Sequence, residues 1–460
     1  MCNMTNKSGG KEAVFISEQV SRAIIRFAAP TIVSLLVNTF YNIADQIFIS
    51  HGVGYGGNAA VNVVYPVAIF AVAVSALIGN GASAYMSLSL GRDENDKASD
   101  CATAALLLAL GSGLTITLAG QGIAGALLGF LAATDSIMDM AMIYLRITFL
   151  GIPCVIVSEV LAGLIRADGN PRYAMLCMVP GCLVNVALDA LFIFVFRWGV
   201  AGAAWATVAG QAVNLIVALV YLPRFRMVDV FRKGKRRLRD ILGEFLRLGV
   251  PGFINQFAST ASMVFINRYL ERYGAMSVYG ADISLAVFGI MLKVNQLAMC
   301  FMNGVAVGMQ PVLGYSYGHG DFQRVKACLR TAVTLSTVCG VVFFGIYQGM
   351  PDSIMRLFGQ SDPMYIEFGV KCFRFFLLAT PLFGFTVVST GLFQGIGKPL
   401  HATFMALSRH IIYLLPLVAL LTPRFGIVGM LFAGPIVDVF AFITCLVLYL
   451  RQWWCLDDPS

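Results

Sequence analysis

Three carboxylates stand out inside long apolar stretches of this 460-residue chain: Asp45, Asp189 and Asp438. An aspartate in hydrocarbon costs about 2.5–3.5 kcal/mol on insertion scales, so each one needs a partner, a cavity or a task. Asp45 closes a polar stripe, because Asn38, Tyr41, Asn42 and Asp45 fall at i, i+3, i+4 and i+7 and share one helix face. Asn185 and Asp189 stack four residues apart on a second stretch, and Thr207 on the next could add a hydroxyl. If Asp45 and Asp189 face one cavity, the two carboxylates form a coupled pair able to carry a proton. With the amide and the hydroxyl they also make an oxygen-rich set that suits Na+. The packing alternative is that each acid hydrogen-bonds neighbouring amides and holds helices together.

The second half of the chain carries a different set. Lys293 sits inside an apolar stretch, where an ammonium could pair with a carboxylate, exclude cations or snorkel to the interface. Gln296, Asn303 and Gln310 recur at seven-residue spacing, a narrow seam that reads as interhelical glue or as cavity lining. Methionines 291, 299, 302 and 309 on the same stretch are adaptable filler for a core or a cavity. Pro30 lies on the same stretch as Asp45; it removes a backbone hydrogen bond there and so offers a hinge. No metal site is expected beyond Na+ at Asp45, Asn185, Asp189 and Thr207. The eleven cysteines are scattered without a C-x-x-C pair, and the four histidines are far apart in sequence. No H-E-x-x-H, G-x-S-x-G or Walker motif is present, so neither an enzyme nor an ATP-driven pump is expected.

These residues must be held by helices in lipid. With 58% hydrophobic and 12% charged residues and a mean hydropathy of +0.79, the chain has too few polar groups to cover a soluble globule. About twelve stretches are long enough to cross a bilayer, near 23–49, 58–88, 99–120, 138–162, 172–196, 201–223, 244–267, 281–310, 327–349, 364–390, 400–421 and 427–450. The expected fold is an all-α integral membrane protein of two pseudo-symmetric six-helix lobes. Its parts are a tail 1–22, an N-lobe 23–223, a basic linker 224–243, a C-lobe 244–450 and a tail 451–460. No cleavable leader is expected, since the first apolar run is too long and lacks a small-residue cleavage site.

The net charge of +8 orients the chain and does not point to nucleic acid. Arg224, Arg226, Arg232, Lys233, Lys235, Arg236, Arg237 and Arg239 fill the sixth connection. Arg92, Lys97, Arg166, Arg172, Arg324, Lys326 and Lys398 lie at other even connections. The positive-inside rule then puts both termini and all even loops in the cytoplasm.

The halves repeat in the same order. Gly163-Leu164-Ile165-Arg166-Ala167-Asp168-Gly169-Asn170-Pro171 returns as Gly391-Leu392-Phe393-Gln394-Gly395-Ile396-Gly397-Lys398-Pro399. Ala29-Pro30 answers Val250-Pro251, Leu90-Gly91-Arg92 answers Tyr317-Gly318-His319, and Gly199-Val200-Ala201-Gly202 answers Gly426-Ile427-Val428-Gly429. Same-order repeats imply a pseudo-two-fold axis along the membrane normal, an arrangement used by transporters that load a central cavity.

Across nearly its whole length the sequence resembles the bacterial multidrug and toxic compound extrusion (MATE) transporters. Four passages carry the likeness: Tyr41-Asn42-Ile43-Ala44-Asp45-Gln46-Ile47-Phe48-Ile49, Leu164-Ile165-Arg166-Ala167-Asp168-Gly169-Asn170-Pro171, Val184-Asn185-Val186-Ala187-Leu188-Asp189, and Gly308-Met309-Gln310-Pro311-Val312-Leu313-Gly314-Tyr315-Ser316-Tyr317-Gly318. The resemblance implies secondary active antiport that exports cationic or amphipathic organic compounds against H+ or Na+, with no other cofactor, by a monomer in a bacterial inner membrane. It implies an ion site at Asp45, Asn185, Asp189 and Thr207, with Pro30 in a bending first helix. Two departures stand out: Ala162 and Gly163 occupy positions where the family often has Asn, and Ser259 stands where one branch has a carboxylate. The alternative is a flippase for a lipid-linked sugar or precursor of related two-lobed architecture.

Overall fold

A computed structural model describes residues 18–131, 137–231, 238–357 and 363–456, and no strand occurs among the described residues. Helix is what these sequences dictate: in hydrocarbon a backbone polar group has no outside partner, so each apolar run closes its hydrogen bonds internally. The first lobe is built from α1 (Val20–Gly52), α2 (Tyr55–Gly91), α3 (Asn95–Phe130), α4 (Met138–Ala167), α5 (Pro171–Val195) and α6 (Gly199–Leu219). The second is built from α7 (Leu238–Ala275), α8 (Gly280–Gly318), α9 (Phe322–Gly349) and α10 (Pro363–Phe376 continued by Thr380–Gly395), followed by α11 (399–425) and α12 (427–455). The break in α10 bends it by 51°. Helical structure continues from α11 into α12, but Gly426 between them has φ 63° and ψ −153°, a conformation that ends one span and starts the next. The architecture is therefore the two-lobed, twelve-helix bundle.

The duplication is written into the turns. Left-handed backbone occurs at Gly54 and Gly280, Asp93 and Gly320, Gly169 and Gly397, and Gly199 and Gly426, which are corresponding connections of the two halves. At the Arg166–Pro171 turn, the chain leaves α4 through Gly169, Asn170 caps α5 by accepting the Tyr173 N–H at 3.2 Å, and Pro171 takes the first helical position.

The chain divides into two compact units. One takes Ala29–Phe253 and Gly314–His319; the other takes Gln19–Ala28, Ile254–Leu313 and Gly320–Ser460. In each of the three divided helices the boundary falls within three residues of a proline: Pro30 in α1, Pro251 in α7 and Pro311 in α8. Helix α1 nevertheless runs unbroken through Pro30, where the Ser34 hydroxyl donates to the Pro30 carbonyl at 3.0 Å.

Within the first unit, the segment after α6 is tied down by a buried acid. Asp168 accepts from the Tyr221 hydroxyl at 2.8 Å and from the backbone N–H groups of Arg226 and Met227 at 3.0 and 2.8 Å. Ser99 and Thr103 on α3 accept from the N–H groups of Asp229 and Phe231. The rest of the basic run, Arg232, Lys233, Lys235, Arg236 and Arg237, lies outside the described residues, as do residues 1–17 and 457–460 of the expected tails. The second unit is centred on a core that includes Phe288, Met291, Tyr347, Phe368, Phe373 and Met430.

Candidate functional site

The site of the first unit depends on how closely α5 and α6 approach. A Cβ placed on Gly181 would stand 2.2 Å from the Gly210 carbonyl oxygen, and one on Gly210 would stand 2.5 Å from the Gly181 carbonyl oxygen, so only glycine fits at either position. Polar contacts lock the crossing on both sides. Tyr173 donates its hydroxyl proton to the Val217 carbonyl at 2.9 Å, and the Gly181 N–H donates to the Asn214 side chain at 2.9 Å. One turn beyond Gly181 and one turn before Gly210, this approach sets Asn185 against Thr207.

Asn185 is buried, and its amide has one orientation that satisfies both ends. In that orientation the NH2 donates to Asp189 Oδ2 at 3.1 Å, while the oxygen accepts from the Thr207 N–H at 3.1 Å and its hydroxyl at 3.3 Å. Asp189, fully buried on the next turn of α5, lies beside Asp45 of α1. Two carboxyls side by side hydrogen-bond each other only through a shared proton. Each acid also keeps a buried Oδ1 with no protein partner. Since a buried, unpaired carboxylate oxygen is costly, those oxygens mark where a proton or a hard monovalent cation would be satisfied. Among the described residues no group of three or more His, Cys, Asp or Glu is placed to hold a metal ion.

All four residues of the sequence-derived ion site thus sit together, and Tyr41 lies beside both acids. Tyr144 of α4, absent from the sequence-derived set, is buried near Thr207, the two acids and Tyr41. Gln211, one turn beyond Thr207, keeps a buried, unpartnered oxygen that points at Gly151, two turns beyond Tyr144 on α4. A tyrosine and a glutamine in apolar helices are ordinary residues by spacing alone; only the α4–α6 packing distinguishes them. Asn38 and Asn42 are spent locally, with the Asn42 amide donating to the Asn38 carbonyl at 2.7 Å and to its side chain at 3.2 Å.

The candidates of the second unit have separate partners. Asp438 of α12 accepts from Arg409 Nε at 3.0 Å, and that guanidinium lies 4.3 Å over the Phe383 ring. Gln310 donates to Gln394 of α10 at 3.0 Å, and Asn303 donates to the Met299 carbonyl of its own helix at 2.9 Å. Lys293 and Gln296 are exposed. Arg409 escaped the sequence reading, although the rule that singled out Asp438 applies equally to a guanidinium inside a span. It lies on a π-helical turn, Ser408–Leu414, and a second such turn, Leu191–Val195, begins two residues after Asp189.

Comparison with known proteins places these observations. A family model described as MatE matches residues 30–191 and 252–420, once in each half. The Multidrug export protein MepA of Staphylococcus aureus (strain MRSA252) is 24% identical over 443 residues, covering 95% of both chains. Its namesake from Staphylococcus haemolyticus (strain JCSC1435) is 24% identical over 454 residues, covering 98% of both. Among solved structures, an outward-facing multidrug resistance MATE family transporter of the MOP superfamily superposes with a TM-score of 0.90 at 24% identity, over 98% of this chain and 99% of that one. A MOP superfamily transporter from Pyrococcus furiosus Vc1 (DSM3638), described as having a binding pocket of reverse polarity, superposes with a TM-score of 0.89 at 24% identity, over 97% and 99%.

Proposed function

Since this chain belongs to the MatE family of membrane transporters, we propose that it is a multidrug efflux antiporter that exports cationic or amphipathic organic compounds in exchange for H+ or Na+. The observation that carries this reading is the contact between Asp45 and Asp189, with Asn185, Thr207, Tyr41 and Tyr144 around them. While the pair holds net negative charge, the pocket attracts an organic cation. A proton or Na+ cancels that charge, removes the attraction and lets α1 bend near Pro30, which closes the pocket and releases the substrate. The ion drives the cycle only by the difference in its affinity for the two conformations.

Ethidium efflux, read as uptake into everted vesicles with pH and Na+ gradients imposed separately, tests this. The gradient that accelerates efflux identifies the coupling ion. Asp45→Asn should reduce that acceleration to the level of vesicles lacking the protein, and undiminished gradient-driven export by this variant rejects the coupling role. The acidic lining has the wrong sign for a phosphate-bearing lipid precursor, so no observation favours a flippase.

A further inference from the structure

The first turns of α9 carry a basic hollow that the transport cycle does not use, and Trp453 near the end of α12 lies against its two cations. The hollow, about 480 Å³, is lined by Gln323, Lys326, Ala327, Arg330 and Thr331, two cations, an amide and a hydroxyl on one face of α9. Lys326 and Arg330 are one helical turn apart, and both charged groups lie 5.2 Å from the centre of the Trp453 ring on α12. Trp453 is itself braced, stacking on Tyr449 at 5.8 Å, which packs edge-on against Phe385 at 5.2 Å. The ring therefore presets both cations, and a guanidinium held by its face keeps its N–H edge for an anion.

Depth selects the kind of anion. The cleft lies where two spanning helices end, and Trp454, 73% exposed, is the residue type that settles at headgroup level. From Trp454 an exposed apolar stripe runs back along α12 through Leu450, Val447 and Ile443, spaced to share one helix face. A bound anion would thus have a basic pocket for its phosphate and an apolar track leading away from it. We propose that this cleft binds the phosphate of an anionic phospholipid headgroup, with the acyl chains along the Ile443–Trp454 face of α12. The bound phosphate sits on the α9 face whose cations Trp453 of α12 braces. This proposal stands apart from the ion site and survives if the coupling reading fails.

The test is native mass spectrometry and thermal unfolding of the full chain with phosphatidylglycerol or phosphatidylcholine of matched acyl chains, and with inorganic phosphate as a separate arm. Wild-type protein should retain phosphatidylglycerol over phosphatidylcholine and unfold at a higher temperature with it. Each lost cation should weaken that preference roughly fivefold, and Lys326→Gln with Arg330→Gln on the order of thirtyfold. Arg330→Lys should keep most of it, and the charge-matched control Arg272→Gln with Arg424→Gln should keep all of it. The proposal is overturned if wild-type protein shows no headgroup preference, a readout that needs no variant to fold. It is equally overturned if the control loses as much as the cleft variant, or if inorganic phosphate gives the same stabilisation as phosphatidylglycerol.

Discussion

At the residue scale, Asp189, Asn185 and Thr207 form one hydrogen-bonded set with Asp45 beside it, so removing any member changes the environment of the rest. Tyr144 is the informative member because it lies near Thr207 and a phenylalanine can replace it ring for ring. Tyr144→Phe keeps the ring and the packing but deletes the hydroxyl. The ion concentration giving half-maximal efflux should rise about tenfold or less, the worth of one hydrogen bond of ~1 kcal/mol, while maximal efflux is retained. An unchanged half-maximal concentration would remove Tyr144 from the site. The four charged or polar members were legible in the sequence because polarity inside an apolar run is conspicuous. Tyr144 was not, because an aromatic residue in a membrane helix is unremarkable until its neighbours are known.

At the element scale, the crossing of α5 and α6 decides whether the set exists at all. Gly181 and Gly210 each face the other's backbone oxygen, and no larger residue fits without separating the helices. Gly210→Ala should therefore destabilise the protein by about 1–3 kcal/mol through overpacking and draw Thr207 away from Asn185. Thermal unfolding should register the first effect, and gradient-driven efflux should fall even at temperatures where the variant is folded. An alanine variant with wild-type stability and efflux would show that the helices can slide without cost. The sequence placed α5 and α6 near 172–196 and 201–223, within a few residues of the observed helices, because the apolar runs and the glycine and proline turns mark their ends. It was less accurate at α3 and α8. Expected over 99–120 and 281–310, they run to Phe130 and Gly318, because a helix continues as long as its backbone hydrogen bonds do, past the point where the apolar run weakens.

At the scale of the whole molecule, the two halves share their turns but not their charges. The acid pair belongs to the first unit, whereas Asp438 in the second is neutralised by Arg409. Arg409→Gln strands a buried carboxylate and should cost about 3–5 kcal/mol, with Asp438→Asn added to it restoring much of the loss. If coupling resides in the first unit, the double variant should still respond to the gradient in vesicle efflux; a response lost in the stable double variant would move the coupling to the second unit. The sequence by itself determined the membrane class, the duplication, the twelve spans and the acids worth attention, because hydropathy, periodicity and repeated turn residues are local properties. The tertiary structure alone decided that Asp45 meets Asp189, that Tyr144 joins them and that Asp438 is paired with Arg409, because contacts between helices far apart in sequence depend on how their faces pack.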